Sequence, residues 1–571
     1  MQVSVEYFYS AQRQKLWCWR SLPQKAVVMT ALLLNACFSF VHLANATEPA
    51  NLVRPADRPN VVFILADDLG YGDVGCFGRD RCRIETPHID ALAASGIRFT
   101  NAHVNASVCG PTRLAIMTGR YPWRFGPAKP GGPWGFIGLR VPTETYTIAD
   151  LMNQAGYATG YVGKWHLGTT MATKDGKLQN EDNVDYKRPL LAGPNDFGWQ
   201  ETFILPGSLD MYPYVFAKDG VWQGDVNTKK GWSAFNRVGD AAEDFEDHKV
   251  LETFYQQAES FIGQQSDAKP FFLFLALTAP HTPTSPSAEF RGRSELGIYG
   301  DFVMEVDHAV ERVVRALEEQ GLRENTLILF TSDHGPAPYA GNILESTPGQ
   351  IHQMEAAGHF PSGPYRGYKF SVYEGGLRVP MVASWPAKMK SGRSTNALIG
   401  LCDLMATLGE LSGQDLQPDQ GVDSISFAKL LRDPSVKSRR QDLVMQSIGP
   451  FAYIHEQWKL CVCPGSGATG KFGNTPSMEK AWSKAQANFS GEITREGLAA
   501  APFVQLFDLG QDPGERNNLA GGMPEKVAEL VGRLRSQIAN GRSTKGPKQS
   551  NSRNMTIFQR LPGEIRKQIN N

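Results

Sequence analysis

The 571-residue chain lacks net charge, because 58 Lys and Arg stand against 58 Asp and Glu. No global field therefore draws it to nucleic acid or to an anionic membrane, and an anionic ligand would have to be met by a local cluster of positive groups and a cation. Cysteine is scarce as well, eight residues in all, which excludes a dense disulfide scaffold. Cys461 and Cys463, one residue apart, are too closely spaced for a usual structural zinc pair. Internal repeats are absent. The rest, 41% hydrophobic and 20% charged, is the composition of an ordinary folded protein. Length alone suggests three or four domains, although large α/β folds often run beyond that prior.

Arg13, Lys15, Arg20 and Lys25 precede an apolar stretch at 26–43, and Ala44-Asn45-Ala46 follows it. That order predicts a signal peptide at 1–46, cleaved near Ala46 for export to the periplasm or the medium. Two other readings are a lipoprotein box at Leu34-Asn35-Ala36-Cys37, where Asn35 fits poorly, and a retained anchor, since about 18 residues could just span a bilayer. Polar Asn35, Ser39 and His42 weaken the anchor, so no stable membrane span is expected.

After a Pro-containing linker at 49–59, residues 61–66 form an apolar run with β-branched side chains, the pattern of a strand buried in a parallel sheet. It ends in Asp67-Asp68-Leu69-Gly70-Tyr71-Gly72-Asp73. Thr86 reads as the N-cap, and Pro87 as the first residue, of a helix ending near Gly96. Further elements are predicted as a helix over 147–155, strands over 157–162 and 271–277, a long amphipathic helix over 301–320, and a strand over 326–331. Helices alternating with short apolar strands predict an α/β fold with one large sheet and helices on both faces. In such sheets ligands gather at the carboxyl ends of the strands, where Asp67, Asp68, Lys164, His281, Asp333 and His334 fall. Beyond about Pro434 the chain reads as a smaller β-rich region with a helix over 523–538. Residues 541–571 are polar and basic, and are expected to be a loosely held tail.

Adjacent carboxylates aimed into one site repel unless one is neutral or a cation holds them. Asp67-Asp68 together with Asp333-His334 would make an oxygen-dominated site suited to a hard cation such as Ca2+. His166 lies two positions from Lys164, so both would face one side of an extended segment. The most specific run is Cys109-Gly110-Pro111-Thr112-Arg113, closed by Thr118-Gly119-Arg120. It closely resembles the type I sulfatase signature, C-x-P-[ST]-R followed by x-x-x-x-T-G-R. Gly163-Lys164-Trp165-His166-Leu167-Gly168 matches that family's G-K-W-H-L-G element, and Glu374-Gly375-Gly376-Leu377-Arg378-Val379-Pro380 is another landmark. Leu506-Phe507-Asp508-Leu509, Asp512-Pro513, Glu515 and Asn518-Leu519 resemble the closing motif, so the likeness covers about residues 58–530.

The resemblance implies an alkaline-phosphatase-like α/β/α sandwich with a mixed, mostly parallel sheet, a catalytic domain at 58–433 and a smaller C-terminal α+β domain at 434–540. It implies that a formylglycine-generating enzyme oxidises Cys109 to Cα-formylglycine, whose hydrate attacks the sulfur of a sulfate ester. The five other thiols outside the leader would then be odd in number, leaving at least one unpaired. One Ca2+ would be held by Asp67, Asp68, residue 109, Asp333 and His334, the last at a position that is Asn or His in the family. Arg113 would orient the hydrate, Asp333 would assist its deprotonation, Lys164 would neutralise sulfate, and His166 would be the base for releasing it. His281, in Thr278-Ala279-Pro280-His281, and Lys369, in Gly367-Tyr368-Lys369, would bind sulfate and protonate the leaving oxygen. His308 is read as structural, and 206–220 and 336–364 as pocket walls. The implied substrate is a sulfated small molecule or glycan, and export favours a polysaccharide or its oligosaccharides.

Two other functions fit the same residues. A phosphatase or phosphodiesterase of this superfold would need further Asp and His ligands for two zinc ions, yet Gly335, Pro336, Ala337 and Pro338 follow His334. A non-catalytic binder of sulfated glycans would not need nucleophile, cation ligands and Lys/His pairs together.

Overall fold

Asn60–Asp67 forms the strand its apolar run predicts, with every residue buried. The computed structural model describes residues 58–126, 132, 134–231, 237–340, 350–463, 465–468, 504–552 and 555–558; the expected leader lies outside the described residues. Five parallel strands lie side by side in the order Thr326–Ser332, Asn60–Asp67, Phe271–Pro280, Ala158–Lys164 and Glu201–Leu205. One flank continues through antiparallel Met381–Ser384 to Ile97–Phe99 and Arg393–Thr395, and the other ends in Phe216–Lys218 and Val221–Gln223. The three central strands are buried along their whole length, which explains why they read as unbroken apolar runs rather than alternating ones.

Helices cover the sheet in two groups. Val250–Gly263 packs on Ile298–Glu319, which also meets Pro87–Ser95, and Ile148–Gln154 packs on Leu404–Ser412. Ile148–Gln154 begins with a reciprocal cap, the Thr147 hydroxyl accepting from the Asp150 amide while the Asp150 carboxylate accepts from the Thr147 amide. Thr86 stands at the expected N-cap position, but its side chain makes no cap hydrogen bond. Its hydroxyl accepts from the Gly75 amide at 2.8 Å, and the Asp307 carboxylate accepts from the amides of His88 and Ile89 at 3.1 and 2.8 Å. A long-range carboxylate thus replaces the local cap and pins one helix to another. Ile298–Glu319 also starts three residues before position 301, because the Asp301 carboxylate faces back to accept from the amides of Gly292 and Ser294.

Asp442–Gln446, Phe451–His455, Trp458–Cys461 and Gln505–Asp508 form a four-stranded antiparallel sheet against which Pro524–Asn540 packs. Of the tail expected to be loosely held, residues 541–552 are in fact tied down. The Ser543 amide donates to the Asp423 carboxylate at 3.0 Å, Arg542 donates to the Pro418 carbonyl at 2.9 Å, and the Ser552 amide donates to the Arg124 carbonyl at 2.9 Å. Polar side chains that read as solvated find backbone partners there. No disulfide joins the six described cysteines, and no described helix is long and apolar enough to cross a membrane.

Candidate active site

The parallel register brings strand ends that lie far apart in sequence to one edge. Ala66 pairs with Ser332, the Asp333 amide donates to the Ala66 carbonyl at 3.0 Å, and the Asp68 amide donates to the Asp333 carboxylate at 3.2 Å. Successive residues of a strand point to opposite faces, so a regular strand would separate Asp67 from Asp68. Asp68 instead takes a left-handed conformation with φ 66°, and both carboxylates reach the same site. His166 does the same at φ 54°. The strand ends at Lys164, so the expected extended alternation of Lys164 and His166 does not hold; the left-handed turn brings His166 back to the site. Such conformations are unfavourable for non-glycine residues and gather where the surrounding structure imposes them.

Cys109 is the first residue of the helix Cys109–Thr118 and is buried. Its sulfur lies 3.3 Å from His334 Nε2. One turn on, Arg113 faces the same site. Its Nε donates to Asp333 at 3.1 Å, its Nη1 donates to the Lys164 carbonyl at 2.9 Å, and its Nη2 lies 3.6 Å from Asp67. Lys164 pairs with Asp67. Lys369 donates to both oxygens of Asp68 at 2.9 Å. His334 Nε2 is 3.0 Å from Asp68, and His281 Nε2 is 3.8 Å from the same carboxylate. These side chains are brought together at one edge of the sheet, while His308 lies elsewhere, paired with Glu311 at 2.8 Å.

Burial alone would push the Cys109 thiol up, but Lys164, Lys369 and His334 outweigh it and hold the group well below its usual range. Asp67 is likewise held low against its burial, chiefly by Lys164. Asp333 behaves oppositely: burial and the neighbouring Asp67 charge push it up to about 7. Burial brings His166 down to about 4, so its ring is neutral. His281 is raised despite burial because Asp68 faces it, and the same carboxylate holds Lys369 well above the usual lysine range.

Donor atoms of Asp67, Cys109, Asp333 and His334 lie within 4.8 Å of one another, and so do those of Asp67, Asp68, Cys109 and His281. Asp67 Oδ1 is buried without a hydrogen-bond partner, the state of an oxygen shaped for a cation. His334 Nδ1 donates to the Gly335 carbonyl at 2.9 Å, which aims Nε2 at the carboxylates, where a bound metal would displace its proton. Three carboxylates and one imidazole fit a hard divalent ion.

Sequence reasoning missed Arg140. Its guanidinium lies over Gly110, where an added Cβ would be 3.5 Å from Nη2. Position 140 belongs to no motif, so no signal in the chain marked it. Of the expected walls, Tyr339 stands near Lys369, whose Nζ is 5.9 Å from the ring centroid, and Asp210 receives Arg237 through its carbonyl. Residues 341–349 lie outside the described residues.

The Sulfatase family profile matches residues 59–414. N-acetylgalactosamine-6-O-sulfatase of Bacteroides thetaiotaomicron is 31% identical over 522 residues, covering 84% of this chain and 93% of that protein. Human arylsulfatase A is 31% identical over 500 residues, covering 84% and 87%. A solved structure described under the metabolism of multiple glycosaminoglycans by Bacteroides thetaiotaomicron superposes with a TM-score of 0.70 at 29% identity, covering 84% of this chain and 99% of that one. Since the match runs through both the strand-end cluster and the sheet that carries it, the chain belongs to the sulfatase family and is a sulfuric ester hydrolase.

Proposed function

We propose that the enzyme hydrolyses carbohydrate sulfate esters, using position 109 as Cα-formylglycine beside a single Ca2+ ion. The observation that carries this reading is the convergence on a buried Cys109 of His334 at 3.3 Å together with Arg113, Lys164 and Lys369, all three ion-paired to the site's carboxylates. A carbohydrate substrate is supported by the N-acetylgalactosamine-6-O-sulfatase relative.

Hydrated formylglycine would supply one hydroxyl as nucleophile toward sulfur and a second through which sulfate can later be expelled, a route closed to serine. Its formation calls for a formylglycine-generating enzyme. Asp67, Asp68, Asp333, His334 and residue 109 would hold Ca2+, which would neutralise sulfate oxygens. Asp333, pushed up to about 7, suits a proton acceptor for the attacking hydroxyl. Arg113 fixes Asp333 at 3.1 Å and orients residue 109. Lys164 and Lys369, both buried, present fixed positive charge to the sulfate. His281 is the better acid for the leaving alcohol, since Lys369 is held too high to release its proton readily. Neutral His166 can take the proton when sulfate is released. The catalytic region is assigned to 58–433 and the smaller domain to 434–540, with export after cleavage of the leader near Ala46.

The test is expression with and without a formylglycine-generating enzyme, following turnover of a chromogenic aryl sulfate and of sulfated sugars alongside mass spectrometry of the peptide carrying position 109. Turnover should rise with the modified fraction and vanish in Cys109→Ala. Full activity with an unmodified thiol would overturn the reading, as would faster hydrolysis of the matching aryl phosphate.

A further inference from the structure

Arg113, Lys164 and Lys369 are each ion-paired to an active-site carboxylate. Arg140 is different. Its Nε is buried without a hydrogen-bond partner, and among the described residues Cys109 is the only group whose negative charge supports it. Burial accordingly brings Arg140 below the usual guanidinium range. An unpaired, partly buried guanidinium is unfavourable in a resting protein and calls for a ligand.

The loop carrying Arg140 is fixed from two sides. The Arg140 amide donates to the Leu167 carbonyl at 3.0 Å, and the Thr169 amide to the Ile137 carbonyl at 3.3 Å. The Gln179 amide group donates to the carbonyls of Phe136 and Thr169 at 2.8 and 2.9 Å. Gly168, at φ 79°, lies so close that an added Cβ would stand 2.1 Å from the Gly138 carbonyl oxygen. The backbone is thus locked to the loop that presents His166, while the guanidinium extends over Gly110 beside the reacting residue. Such a preorganised fork matches a planar carboxylate or a sulfate in two-point contact.

We infer that Arg140 forms a subsite for a second anionic group on the substrate close to the scissile ester, either a carboxylate or another sulfate ester. The inference rests on the sulfatase reading with residue 109 at the reacting position. Arg140 acts as a specificity determinant, because the cations facing the scissile sulfate are Lys164 and Lys369. The preferred substrate is then a glycan with two neighbouring anions rather than a lone sulfate on a neutral sugar.

The test measures kcat/KM of wild type, Arg140→Met and Arg140→Lys on three substrates. These are a monosulfated N-acetylhexosamine, the same sugar with a second sulfate ester, and its disaccharide with a uronic acid. Wild type should favour one of the two dianionic substrates at least tenfold, and the arm favoured identifies the anion. In Arg140→Met that preference should collapse toward unity through KM, with Arg140→Lys intermediate and no melting temperature lowered. A preference unaltered in Arg140→Met, or an equal loss on all three substrates, overturns the subsite. Failure of wild type to hydrolyse any of the three while also failing on aryl sulfates overturns the sulfatase reading itself, and the subsite with it.

Discussion

In the proposed mechanism the chemistry at residue 109 depends on having two hydroxyls rather than one. Cys109→Ser would keep a nucleophile but remove the means of expelling sulfate. One transfer followed by arrest is the expected outcome, read as a sulfated peptide at position 109 by mass spectrometry and an absence of steady-state turnover. A second expectation concerns pH. In the proposed mechanism Asp333 must be ionised to take the proton of the attacking hydroxyl and is pushed up to about 7, so activity should fall as pH drops through that value, well before His166 becomes protonated near 4. His281 must be protonated to act as an acid, and its proton is held beyond the ordinary value of 6.5. Activity should fall again as pH rises past that raised value. The resulting kcat profile is bell-shaped, and His281→Gln should flatten its alkaline limb; a limb unchanged in that variant would remove His281 from the acid role.

At the scale of elements, the site depends on how closely the strands approach. Gly163 precedes Lys164 with φ 119°, and a Cβ there would stand 1.8 Å from the Ala276 carbonyl oxygen of the neighbouring strand. Gly163→Ala must part the two strands and shift Lys164 away from Asp67. A destabilisation of more than about 2 kcal/mol is expected from the combined strain and clash, measured by denaturant unfolding, with turnover lost in whatever fraction folds. The central strands were legible because a strand buried on both faces has no polar side to interrupt it. The caps were legible only in part. Thr147 acts locally with Asp150, whereas the helix from Pro87 takes its cap from Asp307, more than two hundred residues away.

Across the whole molecule, the C-terminal sheet is joined to the helix at Glu374–Leu377 and the strand at Ala102–His103 by a buried charge cluster. Glu374 accepts from His103 Nε2 at 2.9 Å, Arg378 Nε at 2.6 Å and Lys459 Nζ at 2.8 Å, and Lys459 also pairs with Glu515 at 2.8 Å. Burial would raise the Glu374 carboxyl, but His103, Lys459 and Arg378 hold it well below its ordinary 4.5. A depressed carboxylate contributes stability that is fully present above its unfolded value and is lost as pH falls through the folded one. Stability should therefore decline on acidification below about 4.5. Glu374→Gln should flatten that decline and cost about 3–5 kcal/mol at neutral pH, because it leaves buried cations uncompensated. Thermal melts of both proteins across pH measure this.

The sequence alone determined which side chains make up the candidate site. Its reactive side chains lie in short contiguous motifs at the ends of apolar runs, where Cys109 with Arg113, Lys164 with His166, Asp67 with Asp68 and Asp333 with His334 are each set by local spacing. Tertiary structure alone decided which groups share a charge and which stand unpaired. Asp307 capping a distant helix, Glu374 binding two sheets and Arg140 left without a carboxylate all follow from contacts between loops and strand ends brought together by the sheet register. No periodicity along the chain encodes such contacts, because they are set by the packing of the whole fold.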